Sequence, residues 1–196
     1  MLDHLITVGK ALIGVVFITS LSSTPVLSSE GDAVLWNSLR SGEHFVLLRH
    51  AIAPGTGDPP GFKLGSCPTQ RNLSEEGRDQ AVKIGKLFRE NRIQTSRVFS
   101  SQWCRCLETA KLLELGPVQG LPFLNSFFSN YESRESQTQK LSEWLHEQTL
   151  DQPLVLVTHQ VNITALTNVY PSSGELVIIR RSKTGEFTVV GTIKTE

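Results

Sequence analysis

The stretch His44-Phe45-Val46-Leu47-Leu48-Arg49-His50 sets four apolar residues directly before a guanidinium and an imidazole. Phe45 to Leu48 have the unbroken apolar character of a strand buried on both faces, as in the middle of a parallel sheet. Ala51-Ile52-Ala53-Pro54-Gly55 ends the run. Arg49 and His50 therefore fall at its carboxyl end, where open α/β sheets place their ligands.

Pro153-Leu154-Val155-Leu156-Val157-Thr158-His159 repeats the pattern and leads into a helix, so two histidines can converge on one ligand. Between the two runs, Val98-Phe99-Ser100-Ser101 reads as a strand feeding a helix from Gln102 to Leu115, closed by Gly116-Pro117. The first turn of that helix carries Arg105 toward the same sheet edge, where the helix's amino end adds positive potential. One histidine closing a buried strand is ordinarily just a polar plug. Two of them, with two arginines at matching places, make a candidate site.

Arg49-His50-Ala51, the Ser-x-x-x-Arg-x-x-x-Thr-Ala pattern from Ser101 to Ala110, and Val157-Thr158-His159 together resemble the histidine phosphatase (phosphoglycerate mutase-like) superfamily. Leu73-Ser74-Glu75-Glu76-Gly77 with Gln80-Ala81 is similar to the first helix of that family. The resemblance runs from about Phe45 to Ile179. It implies an α/β fold, a single three-layer α/β/α domain over 29–196 with a mainly parallel central sheet. It also implies a phosphomonoester hydrolase with no cofactor and no metal. His50 would attack phosphorus and carry a phosphohistidine. Arg49, Arg105 and His159 would hold the phosphoryl oxygens, since a phosphomonoester of charge near about −2 needs mainly positioning and charge stabilisation.

Only 54 positions separate Arg105 from His159, too few for the long insertion that encloses the substrate in the cofactor-dependent mutases of the family. A phosphatase fits better than a phosphomutase. The branch most resembled is that of small exported phosphatases grouped with the lipopolysaccharide core heptose phosphate phosphatases, which makes a cell-envelope phosphosugar the expected substrate. A non-catalytic module holding a phosphorylated ligand on Arg49, Arg105 and His159 is the competing reading, and an intact His50 argues against it.

Many relatives carry a Leu-Asn-Glu segment whose carboxylic acid protonates the leaving oxygen. Here Leu124-Asn125-Ser126 puts a serine at that place, and its proton is too tightly held for the task. Glu132 and Glu135, just beyond Phe127-Phe128, are the nearest substitutes. Arg71 and Thr158 are further candidates for substrate binding.

Elsewhere the pattern predicts a short amphipathic helix over Asp32 to Arg40, and a Ser74-capped helix burying Ala81, Ile84, Gly85 and Phe88. Helices are also expected over Ser133 to Gln148 and Val161 to Val169, with a closing hairpin over Gly174 to Arg181 and Glu186 to Lys194. Four glycines and four prolines between Pro54 and Pro68 exclude regular structure there. That loop should sit over the site and shape access to it.

The 196 residues carry 19 basic and 19 acidic side chains. Such balance gives no reason to expect nucleic acid as a partner; a small phosphorylated molecule is the expected one. Residues 1–28 read as an export signal, with an apolar core from Ala11 to Leu21 and small residues before Ser29, or as an uncleaved amino-terminal anchor, the one route to a membrane. Either reading places the domain outside the cytoplasm, in a periplasm-like compartment. Three cysteines in an exported chain allow one disulfide. Cys104 and Cys106 lie two apart on a helix and point apart, so they should not pair with each other; Cys67 on the loop with Cys104 beside Arg105 is the preferred pair, with three free thiols as the alternative.

Overall fold

A computed structural model describes residues 30–195; the expected export signal or anchor over 1–28 lies outside the described residues. Six strands form one sheet: β1 (His44–Arg49), β2 (Arg97–Ser100), β3 (Val118–Gly120), β4 (Leu154–Thr158), β5 (Leu176–Arg181) and β6 (Phe187–Ile193), in the order β3-β2-β4-β1-β5-β6. The first four run parallel, and β5 and β6 close one edge as an antiparallel hairpin. The central strands are the uninterrupted apolar runs, because only they are covered on both faces.

The pleat divides those runs between two cores. Val46, Leu48, Val155 and Val157 face one side, where they meet Trp36 and Leu39 of α1 (Glu30–Arg40), Ile84 and Phe88 of α2 (Glu75–Glu90), and Cys106 and Ala110 of α3 (Cys104–Leu112). Phe45, Leu47, Leu154 and Leu156 face the other, against Leu141 and Leu145 of α4 (Arg134–Glu147) and Ile163 of α5 (Gln160–Thr167). The result is the three-layer α/β/α domain expected from the sequence.

α2 begins where the sequence says: Ser74 Oγ accepts from the Gly77 amide, and Glu75 and Glu76 occupy the dipole-favoured first turn. Gly77 is fixed by packing, since a β-carbon there would lie 2.0 Å from the Ile52 carbonyl oxygen. α3 begins two residues later than expected. The amides of Gln102 and Trp103 are taken by Asn125 Oδ1 and Ser101 Oγ, which turns the chain before the helix starts. The edge strand β3 was not expected; its three residues owe their conformation to pairing with β2.

Candidate active site

The parallel register of β1, β4 and β2 delivers His50, His159 and Ser101 to one sheet edge. Arg49 pairs with Thr158 and Ser100 with Val157, and the next residues continue the ladder, His50 N donating to Thr158 O at 3.0 Å and Ser101 N to Val157 O at 2.9 Å. The His50 and His159 rings stand 5.4 Å apart, edge to face. Both are buried. They line an open cleft of about 670 Å³ together with Arg49, Arg71, Arg105, Asp58 and Trp103.

His50 Nδ1 lies 2.8 Å from its neighbour's carbonyl, Ala51 O. A carbonyl only accepts, so Nδ1 carries the proton and Nε2 keeps its lone pair. Burial lowers the His50 pKa to about 3; the charges of Arg105, Arg71 and Arg49 act in the same direction and the Ala51 bond against it. The ring is thus held neutral in the tautomer a nitrogen nucleophile needs. In the free protein it should stay neutral under mild acid, and imidazole ¹⁵N shifts followed from about pH 8 to pH 4 read this directly; a midpoint near the ordinary 6.5 contradicts it. Because the folded value lies below the unfolded one, the unfolded chain takes the proton first. Acid between 6.5 and about 3 therefore also lowers stability through this residue.

His159 is turned into a polar chain. Arg105 NH2 is 3.5 Å from Nδ1, and Nε2 is 2.8 Å from Ser101 Oγ, which donates in turn to Asn125 Oδ1 at 3.2 Å. A guanidinium only donates, so Nδ1 is the acceptor and Nε2 the protonated nitrogen. Burial, then His50 and the three arginines, hold the His159 pKa well below the usual value.

Arg49 anchors NH1 on Pro171 O at 2.8 Å. Arg71 spans the loop over the cleft, with Nε on Gly57 O at 2.7 Å and NH1 on Ala53 O. Arg105 is almost wholly buried and makes a two-pronged pair with Asp58, NH1 to Oδ1 at 2.7 Å and NH2 to Oδ2 at 3.2 Å. Nε of Arg49 and Nε of Arg105 are buried with no acceptor among the described residues. Three guanidinium groups face one carboxylate, an excess of positive charge suited to a dianion.

Of the residues singled out from sequence, Arg49, His50, Arg71, Arg105 and His159 are brought together. Thr158 is not: alternation along β4 sends it to the face of Leu154 and Leu156, where Oγ1 donates to Leu124 O at 2.7 Å. Glu132 and Glu135 do not line the cleft either. They sit on an exposed 3₁₀ turn, Tyr131–Ser133, and the exposed first turn of α4. Ser126 does line it. Sequence reasoning missed Asp58, Asn125 and Trp103. Asp58 is the one acidic residue in the loop between Pro54 and Pro68, and that was the available sign.

The loop supplies Gly55 through Asp58, Pro59, Gly61 and Phe62 to the cleft. Phe62 stacks on Trp103 with ring centroids 4.9 Å apart, and Trp103 Nε1 donates to Asp58 Oδ2 at 3.0 Å. Cys67 is joined to Cys104 in a disulfide, Cα atoms 5.6 Å apart, tying the far end of the loop to the start of α3. Closing a loop of 37 residues removes chain entropy from the unfolded state worth roughly 3–4 kcal/mol. Cys106 is buried on the other side of the helix, and burial pushes its thiol up to about 12. Among the described residues no group of three metal-ligating side chains occurs, and no helix is long and apolar enough to cross a membrane.

Residues 45–127 match the family model of the histidine phosphatase superfamily (branch 1). The fold is similar to that of the protein histidine phosphatase SixA complexed with tungstate, at TM-score 0.56 and 14% identity over 78% of this chain and 97% of that one. It is also similar to a phosphoserine phosphatase variant from Entamoeba histolytica bound to phosphoserine, at TM-score 0.53 and 16% identity over 78% and 98%. A mycobacterial glucosyl-3-phosphoglycerate phosphatase aligns at TM-score 0.52 and 18% identity over 74% and 96%. No curated protein matches the sequence. At these identities the solved structures establish the phosphoglycerate mutase-like fold.

Proposed function

We propose that this chain is a metal-independent phosphomonoester hydrolase of the histidine phosphatase superfamily, exported, and acting through a phosphohistidine on a phosphorylated sugar of the cell envelope. The observation that carries the reading is His50: a buried, neutral imidazole whose Nδ1 is held by Ala51 O and whose Nε2 has no hydrogen bond among the described residues, in a cleft shared with three guanidinium groups. Arg49, Arg71 and Arg105 offer planar donors to the phosphoryl oxygens and meet the charge of the transition state. Nε2 of His50 attacks phosphorus in line, and water then hydrolyses the phosphohistidine. His159 gives a further hydrogen bond to the phosphoryl group when it turns from Ser101.

The sugar is favoured by the outer cleft. Asn125, Ser126, Ser129, Asn130, Gln137 and Gln160 present neutral hydroxyls and amides, and Phe128, more than half exposed, gives an apolar face. Such a wall suits a polyol and offers a charged leaving group no partner. The Cys67–Cys104 disulfide supports an oxidising compartment.

The test is phosphate release from 4-nitrophenyl phosphate by the purified domain with a chelator present, followed by a panel of phosphosugars that begins with heptose phosphates of the lipopolysaccharide core. Release that survives the chelator is the expected result. Binding of inorganic phosphate without any turnover would make the protein a binding module, and phosphate moved between positions of one sugar would make it a mutase.

A further inference from the structure

Among the described residues lining the cleft, Asp58 is the one carboxylate. Its place is built. Oδ1 accepts from the Arg71 amide at 3.0 Å and from Arg105 NH1 at 2.7 Å, while Oδ2 accepts from Trp103 Nε1 at 3.0 Å and from Arg105 NH2 at 3.2 Å. Arg71 holds the segment that leads into Asp58 through Ala53 O and Gly57 O, and the disulfide fixes the far end of the loop. A carboxylate with four donors on a tethered loop is positioned for more than solubility.

We infer that Asp58 delivers the proton to the leaving oxygen, the task for which Ser126 has no usable proton and from which Glu132 and Glu135 are excluded by position. The inference rests on the phosphatase reading above. His50 is buried at the sheet edge, whereas Asp58 comes into the same cleft from the loop between Pro54 and Pro68 and keeps 15% side-chain exposure. In-line attack by His50 sends the leaving group to the side of phosphorus opposite His50, and among the described residues lining the cleft Asp58 is the carboxylate available to meet it. Arg105 links Asp58 to the histidines' sheet edge, since it touches Asp58 with both terminal nitrogens and His159 with NH2. A phosphoryl group held by Arg105 and facing His50 is thus one guanidinium away from Asp58.

The charge balance supplies the proton. In the free protein burial pushes the Asp58 carboxyl up, but the hydrogen bonds and charge of Arg105, the Arg71 amide and Trp103 outweigh it and hold it below its usual range. The charged groups facing it are Arg105 and Arg71, with His159 beyond Arg105. When a phosphate dianion joins the same guanidinium groups, a second negative charge shares the site and the donors are divided, so the carboxyl takes up a proton. Nε2 of His50 then forms the P–N bond as the P–O ester bond breaks. The electron pair goes to the ester oxygen, and that oxygen receives the Asp58 proton, giving the free alcohol, phosphohistidine and ionised Asp58. In the second step Asp58 takes a proton from the attacking water as the P–N bond breaks and its electron pair returns to His50.

The experiment compares wild type with Asp58→Asn and Asp58→Glu on an alkyl phosphate and on 4-nitrophenyl phosphate, across pH. Asp58→Asn should lose roughly 10²–10⁴ in kcat on the alkyl ester, the usual worth of general acid catalysis, and less than about tenfold on the aryl ester, whose leaving group hardly needs a proton. The alkaline limb of the wild-type alkyl profile should vanish with it, and Asp58→Glu should regain part of the rate. Equal losses on both esters would overturn the inference and make Asp58 a positioning residue for Arg105. Tighter binding of inorganic phosphate with undiminished alkyl turnover would also overturn it, making the carboxylate a resting plug. Activity of wild type on the aryl ester separates these outcomes from failure of the phosphatase reading itself.

Discussion

His50→Ala should abolish phosphate release, with rates falling by about 10⁴–10⁶ and KM an incidental matter, because the variant lacks the nitrogen that the proposed mechanism uses as its nucleophile. The geometry makes the demand specific. Nδ1 is occupied by Ala51 O, so Nε2 is the ring nitrogen free to reach phosphorus. Stability should change little in the same direction: the variant removes an imidazole whose burial opposes its charging, and the backbone bond from His50 N to Thr158 O remains. Wild type quenched in alkaline denaturant during turnover should carry a phosphoryl group on His50, stable in base and lost in acid. Residual activity within a hundredfold of wild type, or a phosphoryl group on another residue, would remove His50 from the role of nucleophile.

Those residues of the cleft that follow a strand were legible in the sequence. His50 and His159 terminate apolar runs, and a parallel register does the rest, because matching strand ends arrive at one edge. Arg105 was legible because the run Val98 to Ser101 feeds directly into a helix whose first turn carries it. Thr158 was misread for a reason the sequence itself contains. With Val155 and Val157 on one face, the period of two sends Thr158 to the other, under Leu124. Glu132 and Glu135 were chosen by nearness along the chain, but the 3₁₀ turn before α4 and the first turn of α4 turn them to solvent. Asp58 was out of reach. Its partners Trp103 and Arg105 lie 45 and 47 positions away, and no periodicity fixes a loop whose shape comes from a distant disulfide and an arginine's hydrogen bonds. Local pattern sets elements; long-range pairing sets loops.

Arg105→Ala should lose roughly 10²–10³ in rate on any phosphate ester, alkyl or aryl, because the guanidinium meets charge on the phosphoryl group whatever its leaving group. That independence distinguishes it from Asp58→Asn. Arg105→Lys should recover little, since an ammonium cannot make the two-pronged contact. The alanine variant also leaves Asp58 without its counterion. Breaking a buried pair costs about 3–5 kcal/mol, and the low end applies because the Asp58 side chain keeps 15% exposure against 3% for Arg105. The pH dependence of that cost follows from the sign of the shift. In wild type the Asp58 carboxyl lies below its unfolded value, so its stabilisation is present above the unfolded pKa and fades as pH falls through the folded one. In the variant the bonds from the Arg71 amide and Trp103 remain but those of Arg105 and its charge are gone, so burial weighs more heavily and the carboxyl takes a proton at a higher pH than in wild type. The gap in Tm between the two proteins should therefore be widest near neutrality and close on acidification. The double variant Arg105→Ala with Asp58→Asn should restore most of the stability at pH 7 and none of the activity. A constant Tm gap across pH, or a double variant no more stable than Arg105→Ala alone, would mean that the pair does not hold the loop and that Arg105 serves the phosphoryl group only.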